Sequence, residues 1–403
     1  MKSDQIKPAS RFFQGEKSIL ITGATGLIGS HIAGYLLKKG HRIVVLIRSK
    51  GNLNAVQRFQ SLCDFLEISR GLLSNLTIVE GALDKYSFGL STSTYEKLCD
   101  QIDCIIHCAG NTTFSAKQRA ESERDNITGL NNVLEFGRHS RCSWFHLMST
   151  VYTAGKKTGM CDEKLDEPGL FTNVYEETKY RGEQKTLDFC RKNGIGFTIL
   201  RPSIVVGDSH DGRTFRFNGL YYPLKALFLI RNMFRQDLIS GDGKRAKRMS
   251  ISYKNGKIHI PLRLEFNPVE GINLVPIDFV VKAVCSIIQT PQNGGIFHIA
   301  SKTNVTIAEL IEFTHNFFDI TGLSTVSTGF FSTYNKTPLE CLFDGYIEPY
   351  LPYMKDKRSF STKNTDKVLS LIGITCPVFD YDLFSRCMNY ALDNKWGKEL
   401  QVC

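Results

Sequence analysis

No stretch restricts the fold of this chain more than Lys17 to Gly29, which reads K-S-I-L-I-T-G-A-T-G-L-I-G. Ser18 to Ile21 predict a buried strand, and glycines follow at Gly23, Gly26 and Gly29. His31 to Gly40 then carries apolar residues at 32, 33, 36 and 37, the spacing of one helix face, with Gly40 as its stop. A strand that turns through glycines into a helix start makes an anion site. The N–H groups and dipole of the first turn face the anion, and the missing Cβ atoms let a diphosphate come close. The G-x-x-G-x-x-G spacing differs from the common G-x-G-x-x-G fingerprint, and a plain tight turn is the competing reading. The strand before it and the helix after it favour a dinucleotide.

Residues 42–48 predict a second buried strand. The residue at the end of such a strand meets the adenosine ribose, where Asp or Glu would accept from the 2′-hydroxyl of NAD. Here the strand ends in Arg48, Lys50 and Arg58 follow, and no acidic residue lies between His41 and Cys63. A cationic corner favours a 2′-phosphate, so NADP(H) is the expected cofactor; a solvated basic loop is the alternative. Further strands are predicted at 76–81, 103–109, 143–148 and 196–200, with helical patterns over 94–100, 118–138 and 174–192. This alternation predicts an α/β fold with a parallel, doubly wound sheet and ligands at the carboxyl ends of its strands.

The rhythm stops after Gly207. Gly212, Gly219, Gly241, Gly243 and Gly256 cut residues 208–271 into pieces, with short strands expected at 251–253, 257–260 and 263–266. Residues 272–275, a helix over 278–288 and a last strand over 295–300 return to the main body. Residues from 306 onward read as helices and loops. The insertion and the C-terminal third are expected to cap the strand ends, because no linker composition marks them as a separate module.

Composition narrows the function classes. The chain has 403 residues and a net charge of +10, which suits an acidic partner or substrate. Its densest basic run, Lys244 to Arg248, is too short to argue for nucleic acid. The 12 cysteines include no C-x-x-C pair, and Cys104 and Cys108 fall in an apolar strand, so free thiols in a reducing, cytoplasmic setting are expected. Residues 1–16 have no apolar core of a signal peptide, and no transmembrane segment is expected. The run 224–234 is apolar and aromatic but short, interrupted by Lys225 and Arg231. Cap packing is favoured over a membrane-surface role for residues 215–235, and no metal site is expected.

The chemistry concentrates in Tyr175-Glu176-Glu177-Thr178-Lys179, preceded by Ser149-Thr150 at the end of a strand. Tyr and Lys four apart share a helix face and can reach one ligand. A nearby ammonium favours the phenolate, which would bring Tyr175 toward a working pKa, and Lys179 could also bind a nicotinamide ribose. A surface pair is the bland alternative. Thr150, with a hydroxyl for a substrate carbonyl, and the glycine turn favour the catalytic reading.

With these motifs the chain resembles the extended short-chain dehydrogenases/reductases. Within them it is most similar to thioester reductase domains and fatty acyl-CoA reductases of the male-sterility type. Supporting pieces are Val45 to Arg48, Val79 to Leu83, Ile105 to Gly110, Asn126 to Gly129, Arg201 to Ser209 and Leu274 to Val280. The resemblance implies a Rossmann-type NADP-binding domain over 16–207, completed by 272–300, after an N-terminal tail over 1–15. A smaller mixed substrate-binding cap would comprise 208–271 and 301–403. It implies that Gly23, Gly26 and Gly29 hold the diphosphate, with Thr22, Thr25, Leu27 and Ile28 of the same motif beside the cofactor. Arg48 and Arg58 would hold the 2′-phosphate. Ala82, Leu83, Cys108, Ala109 and Gly110 would line the cofactor, and Pro202 and Ser203 would lie near the nicotinamide. Thr150 and Tyr175 would polarise the substrate carbonyl, and Lys179 would bind ribose and tune Tyr175. Two departures stand out. Ala82 replaces an aspartate common in the family, removing a polar contact to adenine, and His107-Cys108-Ala109-Gly110 replaces His-Asn-Ala-Ala. His107 is read as structural.

The expected function is NADPH-dependent reduction of an acyl thioester to the aldehyde, or onward to the alcohol. The acyl group would arrive on coenzyme A or on a separate carrier protein. An extended reductase of a free ketone, aldehyde, sterol or nucleotide sugar is the first alternative; a non-catalytic NADP(H)-binding sensor or scaffold is the second. A long apolar channel to Tyr175 would favour acyl chains, and a compact polar pocket sugars.

Overall fold

Seven strands form the central sheet: β1 (Ser18–Thr22), β2 (Arg42–Ile47), β3 (Leu76–Glu80), β4 (Ile102–His107), β5 (Trp144–Met148), β6 (Gly196–Pro202) and β7 (Gly295–Ile299). Their order is β3-β2-β1-β4-β5-β6-β7, and every neighbouring pair is parallel. The structure is a computed structural model that describes residues 17–165, 167, 169–290, 294–398 and 400; the expected tail over 1–15 lies outside the described residues.

Parallel strands covered on both faces read as continuous apolar runs. Accordingly Ile19, Leu20 and Ile21 are all buried, although successive side chains point to opposite faces. On one face Ile19, Ile21, Val45 and Ile106 pack with Ile32 and Leu36 of α1 (Leu27–Lys38) and Phe59 of α2 (Ala55–Phe65). On the other, Leu20, Leu46, Ile105 and Phe145 pack with Phe88 and Phe136. The chain reverses direction across the sheet between β1 and β4, so the loops at their carboxyl ends part and leave a crevice.

Between β5 and β6 runs α3 (Val174–Asn193), a helix with clear start and stop signals. The Asn173 side chain accepts from the Glu176 N–H, Glu176 and Glu177 lie in the first turn, Arg191 and Lys192 in the last, and Gly194 ends it in the left-handed region. The helix expected over 118–138 is instead interrupted. An α segment at Arg119–Glu123 passes through a π turn at Arg124–Thr128 before resuming at Gly129–His139.

The insertion corrects the sequence reading most. In place of short pieces it contains α4 (Tyr221–Ser240), 20 residues long. Pro223 sits in the first turn, where a missing N–H costs nothing, and Leu224, Leu227, Ile230 and Phe234 bury one stripe. The strands expected at 257–260 and 263–266 are one strand, Lys257–Leu264, with alternating burial. A register shift between His259 and Leu262 absorbs Pro261. Its parallel partner, Ile320–Thr325, is a strand in a region read as helices and loops. Its antiparallel partner, Ser252–Lys254, joins through Asn255 and Gly256, both at positive φ as a two-residue hairpin turn requires.

These elements share a third core around Tyr221, Ile230, Phe234, Ile260, Phe343 and Phe384. The C-terminal third does not belong wholly to this cap. Lys363–Leu369 packs on β7 and on α5 (Ile277–Gln289), and Glu163 accepts from the Thr365 hydroxyl (2.9 Å) and the His298 N–H (2.9 Å) to fix it there. Among the described residues no helix is long and apolar enough to cross a membrane.

Candidate active site

The turn after β1 is fixed by contacts within the chain. Gly23 has φ +69°, and a Cβ there would lie 2.4 Å from the Ala109 nitrogen. A Cβ on Gly29 would lie 2.4 Å from the Gly23 carbonyl oxygen. Gly23 thus lets the β1 and β4 loops touch, and Gly29 lets α1 start tightly beneath the turn. Gly26 donates to the Gly23 carbonyl (2.9 Å) and caps α1 by accepting from Ser30 (3.0 Å). The N–H groups of Leu27 and Ile28 lie in the first turn, where a helix has no internal acceptors for them.

In front of this turn opens a cavity of about 300 Å³. Gly23, Thr25, Gly26, Arg48, Arg58, Ala82, Leu83, Cys108, Ala109 and Gly110 all line it. At one end Arg48 is exposed, while Arg58 is 5% exposed and donates to the Arg48 carbonyl (2.5 Å) and the Thr25 hydroxyl (3.3 Å). Lys50 lies at the same end of β2. A cradle that admits no Cβ, facing a helix start, with cations beyond it, fits a phosphorylated dinucleotide. Beside Ala82 the wall carries Asp84, which is paired with Arg124 at 3.5 Å.

A second cavity, about 220 Å³, is lined by Thr150, Tyr175 and Ser203. Much of its remaining wall is apolar or aromatic, including Phe114, Ile204, Leu220, Tyr350 and Met354. Thr150 follows β5; its hydroxyl hydrogen-bonds the Tyr175 phenol and donates to the Pro202 carbonyl (3.3 Å). One turn along α3, the Lys179 ammonium donates to the Met148 carbonyl (3.0 Å). It also lies 2.9 Å from where a Cβ on Gly110 would stand, so it backs the first cavity while Tyr175 faces the second.

Burial sets the charge states here. It pushes the Tyr175 phenol up to about 12, against the lowering effect of the Thr150 hydrogen bond. The expectation that Lys179 draws the phenol toward neutrality is corrected: the ammonium is engaged with Met148, and burial dominates Tyr175. Burial also brings Lys179 down to about 8. His107, pushed down to about 3 by burial, is neutral and bonds the Thr22 hydroxyl at 2.8 Å.

A family model described as male sterility protein matches residues 21–284, more than half of the chain. The chain belongs to the male sterility protein family. Proteins similar to it include the L-2-aminoadipate reductase large subunit of Penicillium chrysogenum, 26% identical over 302 residues, covering 70% of this chain and 19% of that protein. Fatty acyl-CoA reductase 2, chloroplastic, of Arabidopsis thaliana is 28% identical over 207 residues, covering 47% and 33%. The chain thus spans about a fifth to a third of the length of these relatives. Among solved structures, the terminal R domain from the myxalamid PKS-NRPS biosynthetic pathway matches with TM-score 0.73 and 20% identity, over 96% of this chain and 92% of that one. UDP-glucuronic acid 4-epimerase from Bacillus cereus, in complex with NAD, matches with TM-score 0.64 and 18% identity, over 94% and 98%. These structural likenesses show a shared α/β fold with a parallel central sheet.

The male-sterility fold brings most of the expected residues to the two cavities, with exceptions. Thr22 is fully buried, tying β1 to β4 through His107, and lines neither cavity. Leu27 and Ile28 are partly buried, packed against the core, and line neither cavity. Gly29 acts by packing. Pro202 is buried and contributes its carbonyl to Thr150, while Ser203 lines the second cavity and donates to the Asn273 carbonyl (2.7 Å).

One residue was missed. Asn126, in the π turn, accepts from the Asn111 N–H (2.6 Å) and donates to the Thr178 hydroxyl (2.9 Å). Its Oδ1 also lies 3.0 Å from where a Gly110 Cβ would stand, so it braces the β4 loop against α3 beside Lys179. The motif Asn126 to Gly129 was visible, but nothing in its periodicity marks a π turn.

Proposed function

We propose that the chain binds NADPH and reduces an acyl thioester, carried on coenzyme A or a carrier protein, to an aldehyde. The observation that carries this reading is the apolar cavity opening onto the bonded Thr150–Tyr175 pair, a surface that suits an acyl chain better than a sugar, whose hydroxyls need polar partners. Arg48 and Arg58 support the phosphorylated cofactor.

The cofactor, when bound, supplies a hydride. The chain supplies polarisation and the proton. A phenol raised to about 12 keeps its proton at neutral pH, so Tyr175 donates to the thioester carbonyl oxygen, and Thr150, on turning its hydroxyl proton away from the Pro202 carbonyl, is a second donor to the oxygen as negative charge develops. The resulting hemithioacetal expels the thiol and leaves the aldehyde, which the same pair can hold for a further reduction to alcohol at the expense of a second NADPH. Lys179 keeps two N–H groups beyond the one given to Met148, enough for a ribose. No cysteine nucleophile is required.

The test is incubation with NADPH and acyl-CoA or acyl-pantetheine thioesters of increasing chain length, following NADPH absorbance and trapped aldehyde. Aldehyde formed in step with NADPH loss is expected. NADPH binding without turnover of any thioester, combined with turnover of free ketones or aldehydes, would overturn the thioester reading.

A further inference from the structure

Between the strand Ile204–Val206 and α4, the cap sends a short strap across the dinucleotide domain. Ser209 opens it, donating from its N–H (2.9 Å) and hydroxyl (3.0 Å) to Asp278 of α5. Gly212, at φ +75°, passes so close to the C-terminal helix that a Cβ would lie 2.3 Å from the Arg386 carbonyl oxygen. Arg213 then pairs with Glu67 (2.6 Å) and lies 4.6 Å above the Phe65 ring. Phe215 is buried, edge-on to Phe65 at 5.3 Å and stacked on His31 of α1 at 6.1 Å.

This strap ends in Arg216, on the wall of the cavity in front of the glycine turn. The buried Thr214 hydroxyl accepts from the Arg216 N–H and donates to the Arg216 carbonyl, both at 3.2 Å, so the backbone is pinned. The Arg216 side chain lines the same cavity as Thr25 and Gly26. Among the described residues no carboxylate pairs with it, whereas the acids on that wall, Asp84 and Asp125, are paired with Arg124 at 3.5 and 3.2 Å. The guanidinium lies over the Phe215 ring, 5.6 Å from its centroid, and shares its cavity with the glycine turn and with Arg48 and Arg58, a cationic surround that favours an anion between them.

We propose that Arg216 is a further cofactor-binding residue, a ligand of the dinucleotide diphosphate supplied by the cap and not by the glycine turn; this rests on the dinucleotide-binding reading above. Because the diphosphate is common to NADH and NADPH, Arg216 acts on both, unlike Arg48 at the 2′-phosphate end. Fluorescence titration of the full chain with NADPH and with NADH tests it. Arg216→Ala and Arg216→Gln are each expected to weaken both cofactors about tenfold, the loss of one charge-assisted contact, with the melting temperature of the cofactor-free protein unchanged. Unchanged affinity for both, or a loss confined to NADPH, would overturn the assignment to the diphosphate. Wild-type protein that binds neither cofactor would overturn the dinucleotide reading and this proposal with it; wild-type binding with silent Arg216 variants overturns this proposal alone.

Discussion

Lys179 backs one cavity and Tyr175 faces the other, yet the two are built by opposite means. The dinucleotide cavity is largely backbone: a turn that only Gly23 can make, a helix start, and a loop at Ala109 and Gly110 pressed against them. The second cavity is largely side chains gathered from distant segments, Phe114, Tyr175, Leu220, Ile272 and Tyr350 among them. A backbone site depends on a few residues that have no substitute. A side-chain site spreads its contacts, and one replacement changes its shape and not its existence.

Substitutions can break or sharpen that contrast. The largest effect is expected at Tyr175, on the wall of the second cavity. Tyr175→Phe should lower kcat by about 10³-fold, within the range for a lost general acid, while NADPH affinity measured by fluorescence stays level. Equal losses in both would mean that Tyr175 shapes the cofactor cavity as well.

Gly23→Ala should strike the backbone site alone. The positive φ and the clash with Ala109 predict about 1–3 kcal/mol of lost stability, read from denaturant unfolding, together with loss of NADPH binding. Normal binding by a stable variant would refute the idea that this turn is irreplaceable. Arg48→Ala, at an exposed side chain, should weaken NADPH about tenfold and leave NADH unchanged in the same titration.

Tyr350→Ala should be the mild counterpart in the second cavity. Tyr350 lies 5.5 Å from Phe114 and 5.1 Å from Tyr222, and losing such contacts should raise KM for a long-chain thioester by about 2- to 10-fold without altering cofactor affinity. A further check uses pH. Lys179, brought down to about 8 by burial, carries its ammonium below that value and loses it above. If the ammonium binds the ribose, kcat/KM should fall as pH rises through about 8, and a profile flat to pH 10 would exclude that role.

Legibility followed the same division. Strands β1 to β7 could be read because two-sided burial leaves unbroken apolar runs, and Gly23, Thr150 and Tyr175 because their motifs are short and local. The insertion is not legible from its glycines, because a glycine can flank a helix as well as break one, and those at 219 and 241 flank an unbroken helix. The Lys257–Leu264 strand was split in two at Pro261, a residue that a shift in register accommodates.

The sequence by itself determined the parallel sheet, the glycine turn and the Tyr175–Lys179 spacing, since each depends on residues near one another in the chain. Tertiary structure decided the rest. It buried Tyr175 until its phenol keeps its proton, engaged Lys179 with Met148, set Asn126 into a π turn, and carried Arg216 across from the cap to the cavity lined by Thr25 and Gly26. Desolvation and the meeting of distant segments depend on what surrounds a residue after folding, and no local pattern encodes those surroundings.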